Sequence, residues 1–308
     1  MSTDTPRSDD HTGASARIEH LTTPDGRTLE VRQLGADDAP ALVFHHGTPG
    51  AAAPLGPVEH AASSNGLRLI TVSRPGYGAS TPLRAPEPVL ADVHDTVTVL
   101  DHLGITEFVT LGWSGGGPRA LACAAALPGR CRAAASWVGV APRVGFDGDW
   151  LDGMGEENLE EFGAALEGPE ALRALLERWH PDFAAIEGSD LVAGMGDLLP
   201  EVDQAFLTPE LAGGLAATFR HALAPGIDGW WRDDLAFVDD WGVDLASMTV
   251  PVAIWQGGDD RMVPQAHATH LGERTAGAVV HLLPGEGHLS LMARLDEIVA
   301  DLRRLAGW

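Results

Sequence analysis

The spacing of apolar and polar positions divides the chain into three stretches. Near the N-terminus, RIEHLTTPDGRTLEVRQLG alternates apolar and polar residues on either side of Asp25-Gly26, which predicts a β-hairpin. Continuous apolar runs follow in ALVFHHG, LRLITV, EFVTLGW and AAASWVGV, and they suit strands buried on both faces. Between them, VLADVHDTVTVLDHLG and PRALACAAALP carry helical spacing, the first ending at a glycine and the second with a proline in its first turn. From Arg143 to Ala246 the strand pattern stops, and EENLEEFGAALEGPEALRALLERW and TPELAGGLAATFRHAL read as helices. Alternation resumes at VPVAIWQGG and AVVHLL and closes with a helix near SLMARLDEIVADLRRLAG. This order predicts an α/β fold: a mostly parallel central sheet flanked by helices, with an inserted helical cap. The expected parts are a disordered polar tail at 1–16, a core of 17–142 and 247–308, and a cap at 143–246.

The link between the third apolar run and its helix, VTLGWSGGGPRA, places Ser114 within Gly-x-Ser-x-Gly. With 37 glycines in 308 residues the motif carries little weight alone. Its position carries more. A strand that turns sharply into a helix lifts a serine above the sheet, and Gly112 and Gly116 keep neighbouring side chains out of the turn. The helix N-terminus behind it offers free N–H groups and a positive dipole end.

Composition narrows the chemistry. The formal charge is −24, which argues against nucleic acid or an anionic membrane surface as partner and leaves a small-molecule substrate. All twenty basic residues are arginines, so lysine Schiff-base chemistry and a P-loop are excluded. Such a lysine-free, Ala-, Gly- and Arg-rich chain suits a GC-rich bacterial gene. Cys123 and Cys131 make neither a disulfide framework nor a zinc site, and neither a secretory leader nor a spanning segment is evident, so a reduced, cytoplasmic setting is expected. The composition leaves oligomeric state open.

A serine hydroxyl needs a base, and the base needs an orienting carboxylate. Past the insertion, WQGGDDRMVP sets Asp259 and Asp260 just beyond a strand end, and LLPGEGHLSL sets His288 in the loop after the last strand. His267 and His270 fall in an expected helix and His281 within a strand, which place them less well. His45 and His46 point to opposite faces of their strand and are read as structural neighbours of the loop that follows, and Arg74 likewise as structural.

HHGTPG, SRPGYGAS, GWSGGG, GGDDRMVP and GEGHLSL, in this order, resemble the α/β-hydrolase fold family from about Arg17 onward, specifically its serine hydrolases with a cap. The resemblance implies a Ser114–Asp260–His288 triad, since the family pattern G-x-x-D-x-x-V-P aligns Asp260 rather than Asp259. It also implies an oxyanion hole from the Thr48 and Gly115 N–H groups, and an acyl-enzyme route needing no metal and no organic cofactor. Relatives with aspartate at the elbow, the dehalogenases and epoxide hydrolases, are set aside because the residue here is Ser114. Trp113, beside the serine, is expected to border the substrate pocket. Five of the nine tryptophans fall in the insertion, where they either line that pocket or pack the cap's own helices. The expected activity is carboxylic ester hydrolysis on an uncharged, partly apolar substrate. A proline iminopeptidase-like activity, with the cap glutamates Glu156, Glu157, Glu160 and Glu161 holding an amine, is the alternative, although the iminopeptidase elbow has its tryptophan after the serine. A ligand receptor or an acyltransferase that kept the fold stays open too.

Overall fold

The computed structural model describes residues 16–191 and 198–308, so the expected N-terminal tail falls, but for Ala16, outside the described residues. Strands β1 (Arg17–Thr22) and β2 (Thr28–Leu34) pair antiparallel about the Asp25-Gly26 turn, with Thr22 opposite Thr28. They join β3 (Ala41–His45), β4 (Arg68–Val72), β5 (Phe108–Trp113), β6 (Cys131–Trp137), β7 (Val252–Gly257) and β8 (Val279–Leu283). The eight strands lie in the order β1-β2-β4-β3-β5-β6-β7-β8. From β4 to β8 all pairings are parallel. Strands β3, β5 and β7 are buried at every position, because helices flank the sheet. The edge strand β8 has no neighbour on one side, and Val279, Val280 and Leu282 remain exposed there.

The helices of the sheet are α1 (Gly56–Ser64), α2 (Asp92–His102) and α3 (Gly117–Ala126) before the insertion. The insertion carries α4 (Glu156–Glu167), α5 (Pro169–Ala185), α6 (Glu201–Phe206), α7 (Pro209–Leu223) and α8 (Asp228–Val238). The chain then returns through α9 (Gln265–Arg274) and α10 (Leu295–Ala306). Among the described residues of 143–246 no strand occurs. Strand order reverses at β3: the next strand in the chain, β4, lies on one side of it, and the one after that, β5, lies on the other. A crevice therefore opens beyond the carboxyl ends of β3 and β5.

An ion pair on β2 helps fasten the insertion to the sheet. His221 Nε2 of α7 lies 2.9 Å from the Glu30 carboxylate of β2. The Glu30 hydrogen bond raises the His221 imidazole above its ordinary value. Burial works to raise the Glu30 carboxyl, but His221, the Ser73 hydroxyl and the Ala79 N–H outweigh it and hold the group below the usual range. A raised histidine stabilises the fold below its unfolded pKa and loses that contribution as pH climbs through the folded one. A depressed carboxylate loses its contribution as pH falls. The pair is strongest between the ordinary glutamate and histidine values, about pH 4.5 to 6.5. His221→Ala is expected to lower Tm most near pH 6 and progressively less towards about pH 8.5, as differential scanning calorimetry across that range would read. A Tm deficit that grew with pH would contradict the ion pair.

Candidate active site

Ser114 sits where β5 passes through one turn of 3-10 helix into α3. Its φ is +53°, a left-handed conformation that a non-glycine residue adopts only where its surroundings enforce it. The surroundings are tight. A Cβ on Gly112 would come within 2.2 Å of the Gly116 carbonyl, and one on Gly116 within 2.0 Å of the His45 carbonyl. The two glycines therefore let strand, turn and the end of β3 close on one another.

Asp260 follows β7 and His288 follows β8. His288 Nδ1 lies 2.8 Å from Asp260 Oδ2. Asp260 also accepts hydrogen bonds from the Met262 and Val263 N–H groups on Oδ1 and from Gln256 Nε2 on Oδ2. Both residues are buried, whereas neighbouring Asp259 is exposed. The loop bearing His288 is gripped from the cap. The Asp203 carboxylate of α6, fully buried, accepts hydrogen bonds from the His288, Leu289 and Ser290 N–H groups at 2.8, 3.0 and 2.8 Å.

His45, His46, His267 and His281 are engaged elsewhere. Burial pushes the His45 imidazole down to about 3 and His267 down to about 4, and holds His46 well below its ordinary value. His46 Nε2 accepts the Arg74 N–H, His267 Nδ1 accepts the Ala141 N–H, and His281 stacks on Trp255 with centroids 3.9 Å apart.

Thr48 and Gly115 meet across the crevice, so closely that a Cβ on Gly115 would fall 2.3 Å from Thr48 Oγ1. Behind them lies a buried charge network. Arg74 donates to the His46 and Gly47 carbonyls and to Thr48 Oγ1. Arg119 donates to the Gly115 carbonyl. Both guanidiniums converge on Asp233 of α8, at 2.6 and 2.7 Å, and Thr48 Oγ1 and the Tyr77 hydroxyl donate to the same carboxylate. Burial works to raise the Asp233 carboxyl, but Arg119, Arg74 and Arg232 outweigh it and keep it ionised. Asp92 accepts from Arg119 and Arg232 on the far side. Three guanidiniums against two carboxylates leave positive charge behind the turn and the loop. Asp233→Ala would leave the buried Arg74 and Arg119 guanidiniums without the carboxylate they share. It is expected to cost about 3–5 kcal/mol in chemical denaturation, and a loss under about 1 kcal/mol would show the network to be dispensable.

Ser114, Gly115 and Thr48 form the floor of a cavity of about 770 Å³ whose walls and roof come largely from the insertion. Trp113 is not among its lining residues. Its ring stacks on Trp137 at 5.6 Å, presses on Gly47 and lies 6.0 Å from the His288 ring, so it packs beside that histidine and does not line the cavity. Of the cap tryptophans, Trp179 and Trp230 line the cavity, while Trp150 donates to the Ala141 carbonyl and Trp231 to that of Pro169. Glu157, Glu160 and Glu161 line it; Glu156, in the first turn of α4, does not. Asp203, Asp233 and Asp234 escaped the sequence reading. For Asp233 and Asp234 a signal was available in GWWRDDLAFV, where charged residues interrupt an apolar helix; Asp203, in EVDQAF, had none.

Comparison with known proteins agrees with this architecture. The chain is 28% identical over 286 residues to a non-heme chloroperoxidase of Streptomyces lividans, covering 92% of this chain and 97% of that protein. It is 30% identical over 273 residues to a pimeloyl-[acyl-carrier protein] methyl ester esterase of Xanthomonas oryzae pv. oryzae, covering 86% and 94%. An esterase from Exiguobacterium antarcticum superposes with a TM-score of 0.64 at 20% identity, over 94% of this chain and 99% of that one. Residues 42–302 match the alpha/beta hydrolase family, and with that match, the sheet order and the strained elbow, the chain belongs to the alpha/beta hydrolase family.

Proposed function

We propose that this hydrolase cleaves carboxylic esters through an acyl-enzyme on Ser114. The observation that carries the reading is the buried His288–Asp260 pair, at 2.8 Å, on loops at the same end of the sheet as the strained Ser114 turn. His288 takes the Ser114 proton as Oγ attacks the ester carbonyl, and returns it to the leaving alcohol. Asp260 fixes the imidazole with its proton on Nδ1, which leaves Nε2 free to act as the base. The Thr48 and Gly115 N–H groups receive the oxyanion, and the positive network behind them favours the charge that develops there. Water, activated by the same imidazole, then releases the acid.

Apolar residues such as Val140, Phe162, Phe219 and Met262 in the cavity suit an acyl or alkoxy group of moderate size. Esterases among the relatives and solved structures are in keeping with it. The test is covalent labelling with a fluorophosphonate, followed by peptide mapping, beside turnover of short p-nitrophenyl esters. One label on the Ser114 peptide together with ester turnover is expected. A label elsewhere, or none, overturns the reading.

A further inference from the structure

The loop that carries His288 is held in two halves. Up to Gly287 it lies on β7. The Asp259 N–H donates to the Glu286 carbonyl at 2.9 Å, and a Cβ on Gly257 would fall 2.4 and 2.5 Å from the Glu286 and Gly287 carbonyls. Beyond His288 the chain enters a 3-10 turn, Ser290–Arg294, and the N–H groups at the start of such a turn find no acceptor within it. Leu289 holds the capping position and its side chain accepts nothing. The acceptor comes from the insertion instead. Asp203 of α6 takes the His288 N–H on Oδ2 at 2.8 Å, and the Leu289 and Ser290 N–H groups on Oδ1 at 3.0 and 2.8 Å. Glycine at 287 is what lets the carboxylate this close, since a Cβ there would fall 2.4 Å from Asp203 Oδ1.

A fully buried carboxylate is a demanding way to cap one turn, because the group must be stripped of water. A serine or asparagine in place of Leu289 would cap it locally, through N–H groups further along the turn. Such a cap would not engage the N–H of His288 itself. Asp203 does. His288 is thereby fixed twice, at its backbone by Asp203 and at its ring by Asp260, whose Oδ2 lies 2.8 Å from Nδ1. With both ends held, the imidazole cannot swing about its own backbone, and Nε2 keeps one direction.

We propose that Asp203 is a positioning residue for the reaction: through the His288 N–H it sets the imidazole against Asp260 and Ser114, so that the insertion governs the competence of the base. This rests on the ester-hydrolase reading for the role of His288. Asp203 does not line the cavity, so its effect falls on the chemical step and not on substrate binding.

Asp203→Asn is the discriminating change. An asparagine keeps most hydrogen bonds with its oxygen towards Leu289 and Ser290, which turns its NH2 against the His288 N–H and breaks that one bond. For a p-nitrophenyl ester kcat should fall about 10- to 100-fold with KM within about twofold of wild type. Fluorophosphonate labelling of Ser114 should slow by a similar factor. The far-downfield proton resonance of the His288–Asp260 hydrogen bond, which needs no substrate, should shift or broaden. Gly287→Ala, which drives a Cβ into the same carboxylate, should act in the same direction and serves if Asp203→Asn does not fold. A lower Tm with kcat, labelling rate and resonance as in wild type would make Asp203 a structural cap and overturn the proposal; so would a raised KM at unchanged kcat. Variants that match a wild type active on esters would remove the positioning role and leave the esterase reading standing. A wild type that turned over no ester, with the resonance altered in Asp203→Asn, would remove the esterase reading and keep the positioning of His288.

Discussion

Ser114→Ala should reduce kcat for a p-nitrophenyl ester by about five to six orders of magnitude, to a residual rate still above that of water alone. The size of the loss follows from what the hydroxyl supplies. With Oγ gone there is no atom to form the acyl-enzyme, and His288 has no proton to accept. What survives is binding in the cavity and whatever the Thr48 and Gly115 N–H groups contribute to a direct attack by water. The fold should be indifferent to the change. Alanine at φ +53° carries the same left-handed strain as serine, so the backbone of the turn is not altered by the change. The measurement is steady-state rate beside Tm and far-ultraviolet circular dichroism. A folded variant within about tenfold of wild type would place the nucleophile elsewhere.

The fold was readable because strand and helix signals are local. Asp25-Gly26 marks a hairpin by its turn chemistry, and ALVFHHG marks a strand buried on both faces by its unbroken apolar run. The alternation of such runs with helical spacing implies a parallel sheet. The position of Ser114 between a strand and a helix was readable for the same reason. The cap's contribution was not. Asp203 and Asp233 act on loops 85 and 185 residues away in sequence, at His288 and Thr48, and no local pattern reports a partner at that distance. Trp113 failed as a pocket wall for a related reason. Side chains alternate along a strand, so adjacency to Ser114 in sequence does not put the indole in the cavity; it stacks on Trp137 and packs beside the His288 ring.

These long-range contacts change what the insertion does. Asp203 holds the histidine loop, and Asp233 holds both the Thr48 loop and, through Arg119, the Ser114 turn. The insertion is therefore part of the support for the Thr48, Ser114 and His288 segments, and α6 and α8 cannot lift away without releasing buried charges. Helices α4 and α5 supply ten of the twenty-five described residues that line the cavity.

Asp260→Asn should lower kcat by about four orders of magnitude while leaving the protein folded, and the surrounding donors show why. Four donors surround the Asp260 carboxylate. The Met262 and Val263 N–H groups both point at Oδ1, and Gln256 Nε2 and His288 Nδ1 point at Oδ2. An asparagine has one oxygen to offer. Two backbone donors fix that oxygen at the Oδ1 position, which leaves the amide NH2 facing His288 Nδ1. The imidazole must then accept at Nδ1 and carry its proton on Nε2. An imidazole in that tautomer cannot take the Ser114 proton. Fold stability should fall far less than activity, since the two backbone hydrogen bonds survive. The control is Asp259→Asn, one residue earlier on the exposed side of the loop, which should retain near-normal rates. Measuring kcat and Tm for both variants separates the two acids. If Asp259→Asn proved the damaging change and Asp260→Asn the benign one, the contact between Asp260 and His288 would be structural and the orienting carboxylate would have to be sought elsewhere.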